Sequence, residues 1–526
     1  MLFNSPEFIF IFLPITLFIF FKLGNSKFYK LAIYWLTAAS FFFYGWWNPS
    51  YLILLIFSIL FNYFIGIAIN RHYIKVFKPK HLLILGVLTN LCLLGYFKYI
   101  NFFLTSTNEL FGTSFNLQSI VLPLAISFST FNQIAYLVDT YRGEAKEHKF
   151  LKYCLFISFF PHLIAGPIVH HSEMIPQFYQ GQYYRFNYKY IAVGISIFSI
   201  GLFKKVVFAD SIAIYTNPVF DIAAQSLKLT FFQAWVGAIA YLLQLYFDFS
   251  GYSDMAIGAA RMFGIKFPLN FNSPYKAVNI IEFWRRWHMT LSRFLKDYLY
   301  IPLGGNRKGK LRRYLNLMIT MLLGGLWHGA AWNFVIWGGL HGVYLIINHQ
   351  FQSFRKLLGH NLQKSQSWSR VIASILTFLA VLIAWVFFRA NNINAGLAII
   401  KSMSGTTEMF QAKSFPTQLI LINAWINQID PVFHVTRLSI MLQISFLLSI
   451  VWITPNTQQW MGKYEPALDY AEYSNKLNAS NWSIEIWQKL QWQPNFVFST
   501  IIGTLIFISV KILLSAPESE FLYFNF

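Results

Sequence analysis

Long apolar runs separated by short, mostly basic connectors repeat along the whole chain. They cover Phe8–Phe21, Leu31–Trp47, Tyr51–Ile69, His81–Phe97, Ile120–Val138, Leu151–Val169, Tyr190–Phe208, Phe231–Phe249, Tyr314–Trp327, Phe334–Ile347, Ile372–Phe388, Ile440–Ile453 and Phe498–Leu514. Runs of this kind predict membrane-spanning helices. Several fall short of the roughly 20 residues that a perpendicular crossing needs, which predicts re-entrant segments or a locally thinned bilayer. A different pattern occupies Ile280–Leu299. At about 100° per residue, Phe283, Phe294, Trp287, Ile280, Tyr298, Leu291, Trp284, Leu295, Ile281 and Leu299 fall within an apolar arc of about 160°. Opposite them stand Arg285, Lys296, Glu282, Arg293, Arg286 and Asp297, with Met289 as the apolar exception. This predicts one amphipathic helix at the cytoplasmic interface, with His288 on its packed side.

Composition agrees with the pattern. The 526 residues are 56% hydrophobic and 20% aromatic with only 12% charged, so the fold class is all-α, a polytopic transmembrane helical bundle with interfacial helices. The expected organisation is a single integral-membrane domain over residues 1–526. Two polar insertions, Gly405–Val435 and Pro455–Pro494, interrupt the last spans. No internal repeat is evident, which disfavours inverted-repeat transporter folds. The N-terminus has Glu7 and no basic residue before its first apolar run, so it reads as a first transmembrane helix and not as a cleaved signal peptide.

A net charge of +21 would suggest nucleic acid in a soluble protein. Here many of the basic residues sit in short connectors, where topology explains them better and anionic lipid is a secondary attraction; no nucleic-acid partner is expected. Lys22, Lys27 and Lys30, then Arg71, Lys75, Lys78 and Lys80, then Arg142, Lys146 and Lys149 alternate as cytoplasmic loops if the N-terminus is extracytoplasmic. Arg307, Lys308, Lys310, Arg312 and Arg313 should also be cytoplasmic, yet counting every earlier run as a crossing puts them outside. The charge cluster therefore predicts that one earlier run does not cross, or that a crossing is hidden. Only Cys92 and Cys154 are present, both expected as buried, hydrophobe-like thiols.

The chemistry concentrates in Asn279–Gly342. His328 ends the run that starts near Arg313, and about 15 residues at about 1.5 Å each lift it roughly 22 Å from the cytoplasmic side, to a turn at Gly329-Ala330-Ala331. A neutral histidine there can take a proton from a hydroxyl and return one to a leaving group. It can equally be a hydrogen-bonding group between helices brought close by Gly325/Gly329 and Gly338/Gly342. The residues alone leave both readings open. His288 is a second candidate, as a donor to a carbonyl or oxyanion, although pairing with a backbone carbonyl is the reading that physics favours. His341 is a weaker candidate. His170-His171, His288, His328 and His341 lack HExxH or close i, i+4 spacing, so no metal is expected. Asp248 and Asp254 must be paired or line an aqueous cavity. The favoured expectation is structural pairing, with Arg285 or Arg286 as possible partners. No phosphate-binding loop or GxSxG elbow occurs.

These residues resemble a family. Leu163-Ile164-Ala165-Gly166-Pro167, Tyr246 through Asp254, Phe271-Asn272-Ser273-Pro274-Tyr275, Phe283–Ser292, Tyr300 through Asn306, Gly324–Gly342 and the closing Phe521 through Phe526 are similar to the membrane-bound O-acyltransferases. The similarity is to the bacterial branch that includes the alginate O-acetylation membrane subunit. The resemblance implies a helical bundle with a tunnel joining a cytoplasmic donor to an acceptor on the other side. It implies His328 as the catalytic residue and His288 as its assistant. The implied donor is acetyl-CoA, with no metal, and the implied acceptor is an extracytoplasmic polysaccharide or a periplasmic acyltransferase partner, in the cell inner membrane. D-alanyl transfer towards teichoic acid from a carrier protein is the related alternative. A lipid or polysaccharide transporter without acyl chemistry is the alternative from another class.

Overall fold

The computed structural model describes residues 1–26, 30–71, 78–145, 149–361, 366–405, 437–468, 470, 490–515 and 519–525. The described residues are largely helical, and the one β-bridge among them joins Pro268 to Leu468. Among the described residues, five helices are long and apolar enough to cross a membrane: Pro49–Asn70, Pro79–Phe111, Tyr188–Ala224, Ser367–Arg389 and Phe496–Ser515. The expected runs at Leu31, Ile440 and Phe498 appear as Leu31–Gly45, Arg437–Ile453 and Phe496–Ser515. On Pro49–Asn70, large apolar side chains such as Ile53, Phe57 and Phe64 stand exposed. That is the surface expected of helices that face lipid.

The chain divides into two compact units. The first comprises Met1–Phe203, Gly251–Leu269 and Thr457–Asn525. Among its helices, Pro49–Arg71, Pro79–Leu94 and Ile126–Tyr141 are tied by buried amides. Asn90 Nδ2 donates to Asn62 Oδ1 at 2.6 Å, and Asn62 Nδ2 donates to Gln133 Oε1. Amide pairs of this kind satisfy polar groups where no water can. Asp254 accepts from Thr457 Oγ1 at 2.6 Å and from Gln458 Nε2 at 3.0 Å. The aromatic C-terminus stacks here, with Phe521 at 4.5 Å from Tyr252 and Phe3 at 4.9 Å from the same ring.

The second unit comprises Lys204–Ser250 and Asn270–Asn456. Lys205 sits in a widened turn, Lys204–Ala209, that precedes Asp210–Ala224. Its Nζ lies 2.7 Å from Asp210 and 2.9 Å from Asp248, with Lys205 and Asp248 buried. Asp248 is thereby paired, but with a lysine and not with the expected Arg285 or Arg286. Arg286 is instead held by Glu282 at 2.7 Å, four residues earlier on the same surface.

Three expectations change. The run Leu151–Val169 is not one helix: Phe150–Ser158 ends at an extended Phe159, and only the short Phe160–Leu163 follows. A nine-residue helix is far too short to cross a bilayer. Ile280–Leu299 is also broken, into Ile280–Trp284, Met289–Leu295 and a widened turn Lys296–Tyr300. Most of its apolar side is nonetheless buried, with Ile281, Tyr298 and Leu299 half-buried, and Met289 is buried as well. Cys154 is buried, but Cys92 is exposed on an apolar helix. Of the polar insertions, 406–435, 469 and 471–489 lie outside the described residues.

Candidate active site

Two helices in the second unit carry most of the site. Gly309–His328 ends at His328, the next residues are extended, and Trp332–Leu357 begins. The turn therefore falls at Gly329-Ala330-Ala331, as the sequence predicts. The two helices touch backbone to backbone: a methyl group on Gly325 would collide with Phe334 O, and one on Gly338 with Met321 O. Only glycine permits this approach, which brings the end of one helix under the rings of the other. Asn333 fixes a third helix against them, donating from Nδ2 to Ala390 O at 2.7 Å and to Phe387 O at 3.3 Å. Those carbonyls end Ser367–Arg389, so the bonds set Phe388 and Trp385 in place.

His328 is enclosed by aromatic rings. Its centroid lies 4.8 Å from Trp327, 5.0 Å from Trp337 and 5.2 Å from Phe388, and the residue is 3% exposed. Trp337 stacks on Trp385 at 5.6 Å, and Trp385 in turn lies 4.9 Å from Trp287. Trp284 completes the group by donating from Nε1 to His341 Nδ1 at 3.3 Å.

His288 occupies the break in the expected amphipathic helix. Its backbone is left-handed, with φ 41° and ψ 54°. A non-glycine residue in that region costs of order 1–3 kcal/mol and persists only where its surroundings impose it. Asn270 does so on both sides: its carbonyl accepts from Met289 N at 2.9 Å, and its Oδ1 lies 2.9 Å from His288 Nδ1 and accepts from Thr290 Oγ1 at 2.9 Å. An amide oxygen only accepts, so His288 carries its proton on Nδ1 and presents a lone pair at Nε2. His288 lies outside the spanning helices, and burial pushes its imidazole down to about 3, which keeps it neutral. In this state Nε2 cannot act as the donor that the sequence reading assigned it.

The structure brings His328 and His288 into one aromatic cluster. The indole of Trp327 stands between them, 4.8 Å from His328 and 6.3 Å from His288. His341 joins the same cluster, 4.8 Å from Trp337. His170 and His171 lie elsewhere, beside Asp139 in the first unit, with His171 Nδ1 3.3 Å from its carboxylate. The sequence reading missed Asn270, Thr290, Trp337, Trp385 and Phe388. For Asn270 a signal existed, an asparagine in the apolar stretch before Phe271-Asn272-Ser273-Pro274; for the tryptophans there was none in a chain with 17 of them.

Comparison with known proteins gives this arrangement a context. Residues 80–396 match the family model described as the membrane-bound O-acyltransferase family. The chain is 49% identical over 434 residues to the peptidoglycan O-acetyltransferase of Helicobacter pylori, covering 77% of this chain and 80% of that protein. It is 42% identical over 409 residues to the probable alginate O-acetylase AlgI of Pseudomonas aeruginosa, covering 77% and 75%. It is also 27% identical over 298 residues to a teichoic acid D-alanyltransferase of Streptococcus thermophilus, covering 52% and 69%.

Proposed function

This chain belongs to the membrane-bound O-acyltransferase family, and from that premise we propose that it moves an acetyl group from cytoplasmic acetyl-CoA towards a hydroxyl of an extracytoplasmic glycan. The enzyme class sets aside the transporter without acyl chemistry. Peptidoglycan is the favoured acceptor, supported by the 49% identity to a peptidoglycan O-acetyltransferase over most of both chains. An alginate-like polysaccharide is the second reading, supported by the 42% identity to AlgI. D-alanyl transfer has weaker support, because the similarity to the teichoic acid enzyme is lower and covers about half of this chain. The acetyl group either reaches the glycan directly or passes to a periplasmic partner that completes the transfer. The protein sits in the inner membrane with its N-terminus outside, a placement supported by the alternating basic loops.

One observation carries the mechanism: two buried histidines share one aromatic cluster, with the Trp327 ring between them. His328 acts as general base, taking the hydroxyl proton as the oxygen attacks the thioester carbonyl, and returns a proton to the departing sulfur. His288 stands across the Trp327 ring from His328, its imidazole held in one orientation by Asn270. The surrounding rings exclude water, which would otherwise hydrolyse the thioester. The test is mass spectrometry of muropeptides and surface glycans from cells carrying wild type or His328→Ala. The expected result is loss of acetylation with the variant still inserted in the membrane. Acetylation at the wild-type level would refute the role given to His328.

A further inference from the structure

The cluster around His328 contains three buried hydrogen-bond donors that are unspent. Trp337 Nε1, Trp385 Nε1 and His341 Nε2 have no hydrogen-bond partner among the described residues. Trp337 is 1% exposed, and Trp385 and His341 are fully buried. The identity of the His341 atom follows from its neighbour. An indole nitrogen can only donate, so the bond from Trp284 Nε1 makes His341 Nδ1 an acceptor. A neutral imidazole with an unprotonated Nδ1 carries its proton on Nε2.

All three unspent groups are therefore N–H donors, and they belong to rings in mutual contact. Trp337 and Trp385 are 5.6 Å apart and nearly parallel, at 23°. His341 lies 4.8 Å from Trp337 and 6.2 Å from Trp385, and Trp337 lies 5.0 Å from His328. Leaving a buried donor unmade costs about 1–3 kcal/mol. Three in one packed cluster, with no acceptor among them, is the arrangement of a site that waits for an oxygen.

We propose that Trp337 Nε1, Trp385 Nε1 and His341 Nε2 receive the acyl carbonyl oxygen and stabilise the oxyanion that forms on it beside His328. The assignment rests on the acyl-transfer reading above. As the hydroxyl oxygen bonds to the carbonyl carbon, its proton passes to His328 and the carbonyl electron pair moves onto the oxygen. The three N–H groups hold that negative charge. On collapse the C–O double bond reforms, the C–S bond breaks, and the sulfur leaves as a thiol with the proton from His328. His341 presents a hydrogen at Nε2 and therefore suits the carbonyl oxygen.

The test uses the purified full chain in proteoliposomes, with acetyl-CoA as the probe, and follows thiol release on addition of a soluble glycan oligomer. Trp337→Phe and Trp385→Phe keep a ring and remove the N–H; benzothienylalanine at either position removes the N–H with the ring size retained. Each is expected to lower kcat about tenfold or more while KM changes little, because the interaction is made chiefly in the transition state. Wild-type kcat in both benzothienyl variants would overturn the proposal, including where the melting temperature falls, which is the outcome for N–H groups that hold only a structural water. If wild type itself releases no thiol and transfers no acetyl group, the acyl-transfer reading fails and the proposal falls with it.

Discussion

Replacing Asn270 by alanine removes a single side chain that the geometry ties to the chemistry of another residue. Its Oδ1 accepts from both His288 Nδ1 and Thr290 Oγ1, each at 2.9 Å, and all three residues are buried. Truncation strands two buried donors, at about 1–3 kcal/mol each, so a stability loss of about 2–6 kcal/mol is expected. The backbone bond from Met289 N to Asn270 O is untouched, so the left-handed turn at His288 should survive. What is lost is the preference for the Nδ1 tautomer and the fixed ring orientation. An orientation and tautomer effect of about 1–2 kcal/mol corresponds to about a five- to thirtyfold fall in kcat. The measurement pairs steady-state acetyl transfer with thermal melting in detergent for Asn270→Ala, Asn270→Asp and Thr290→Val. Asp keeps an acceptor for Nδ1 and should retain most of kcat; Val removes only the Thr290 bond and should lower melting while sparing kcat. If Asn270→Ala melts early yet turns over at the wild-type rate, Asn270 is a structural brace and the tautomer argument is wrong.

Two further expectations follow from packing and charge. Gly338→Ala should prevent the helices Gly309–His328 and Trp332–Leu357 from closing, because the new methyl meets the Met321 backbone. At the adjacent Gly339 it meets only Leu322 Cδ2 at 3.6 Å, so Gly339→Ala should fold normally; equal yields of monodisperse protein for the two variants would contradict this. Lys205→Met should strand the Asp248 and Asp210 carboxylates and cost about 3–5 kcal/mol, whereas Asp210→Asn leaves the Lys205 to Asp248 pair intact and should cost less. Comparing their melting temperatures checks the order, and a further Asp248→Leu change in Lys205→Met should recover part of the loss.

The apolar pattern located most helices because lipid leaves a long run of uncharged residues no other stable form. It failed where a helix breaks without a change in hydropathy. In Leu151–Val169 the break is local: Pro161, second residue of the short helix Phe160–Leu163, has no N–H to give the turn before it. That signal was present in the sequence. In Ile280–Leu299 it was not, because the side-chain periodicity continues through a break made by one left-handed residue, His288. Periodicity reports which side chains share a face; it does not report the φ of a residue held in place by Asn270 from another segment. The aspartates show the same limit. That Asp248 and Asp254 need partners follows from burial alone, but their partners, Lys205 for one and Thr457 with Gln458 for the other, are set by tertiary contact.

The candidate site was half legible for a related reason. A histidine in an apolar run stands out because its polarity is unexpected there, and His328, His288 and His341 were all visible on that ground. Tryptophan does not stand out: it spreads one N–H over a large apolar ring, so hydropathy counts Trp337 and Trp385 as core. Their buried donors become evident only when the packed rings show what each nitrogen can reach. The same property suits them to the site. A carbonyl oxygen needs donors that are fixed before it arrives, and an indole brings its donor on a rigid ring that lysine or arginine would replace with a flexible charge. Burying such a charge beside His328 would also disfavour the protonated imidazole that general-base chemistry must form. Neutral donors hold the oxyanion without that opposition, so a site assembled from aromatic N–H groups leaves His328 able to take its proton.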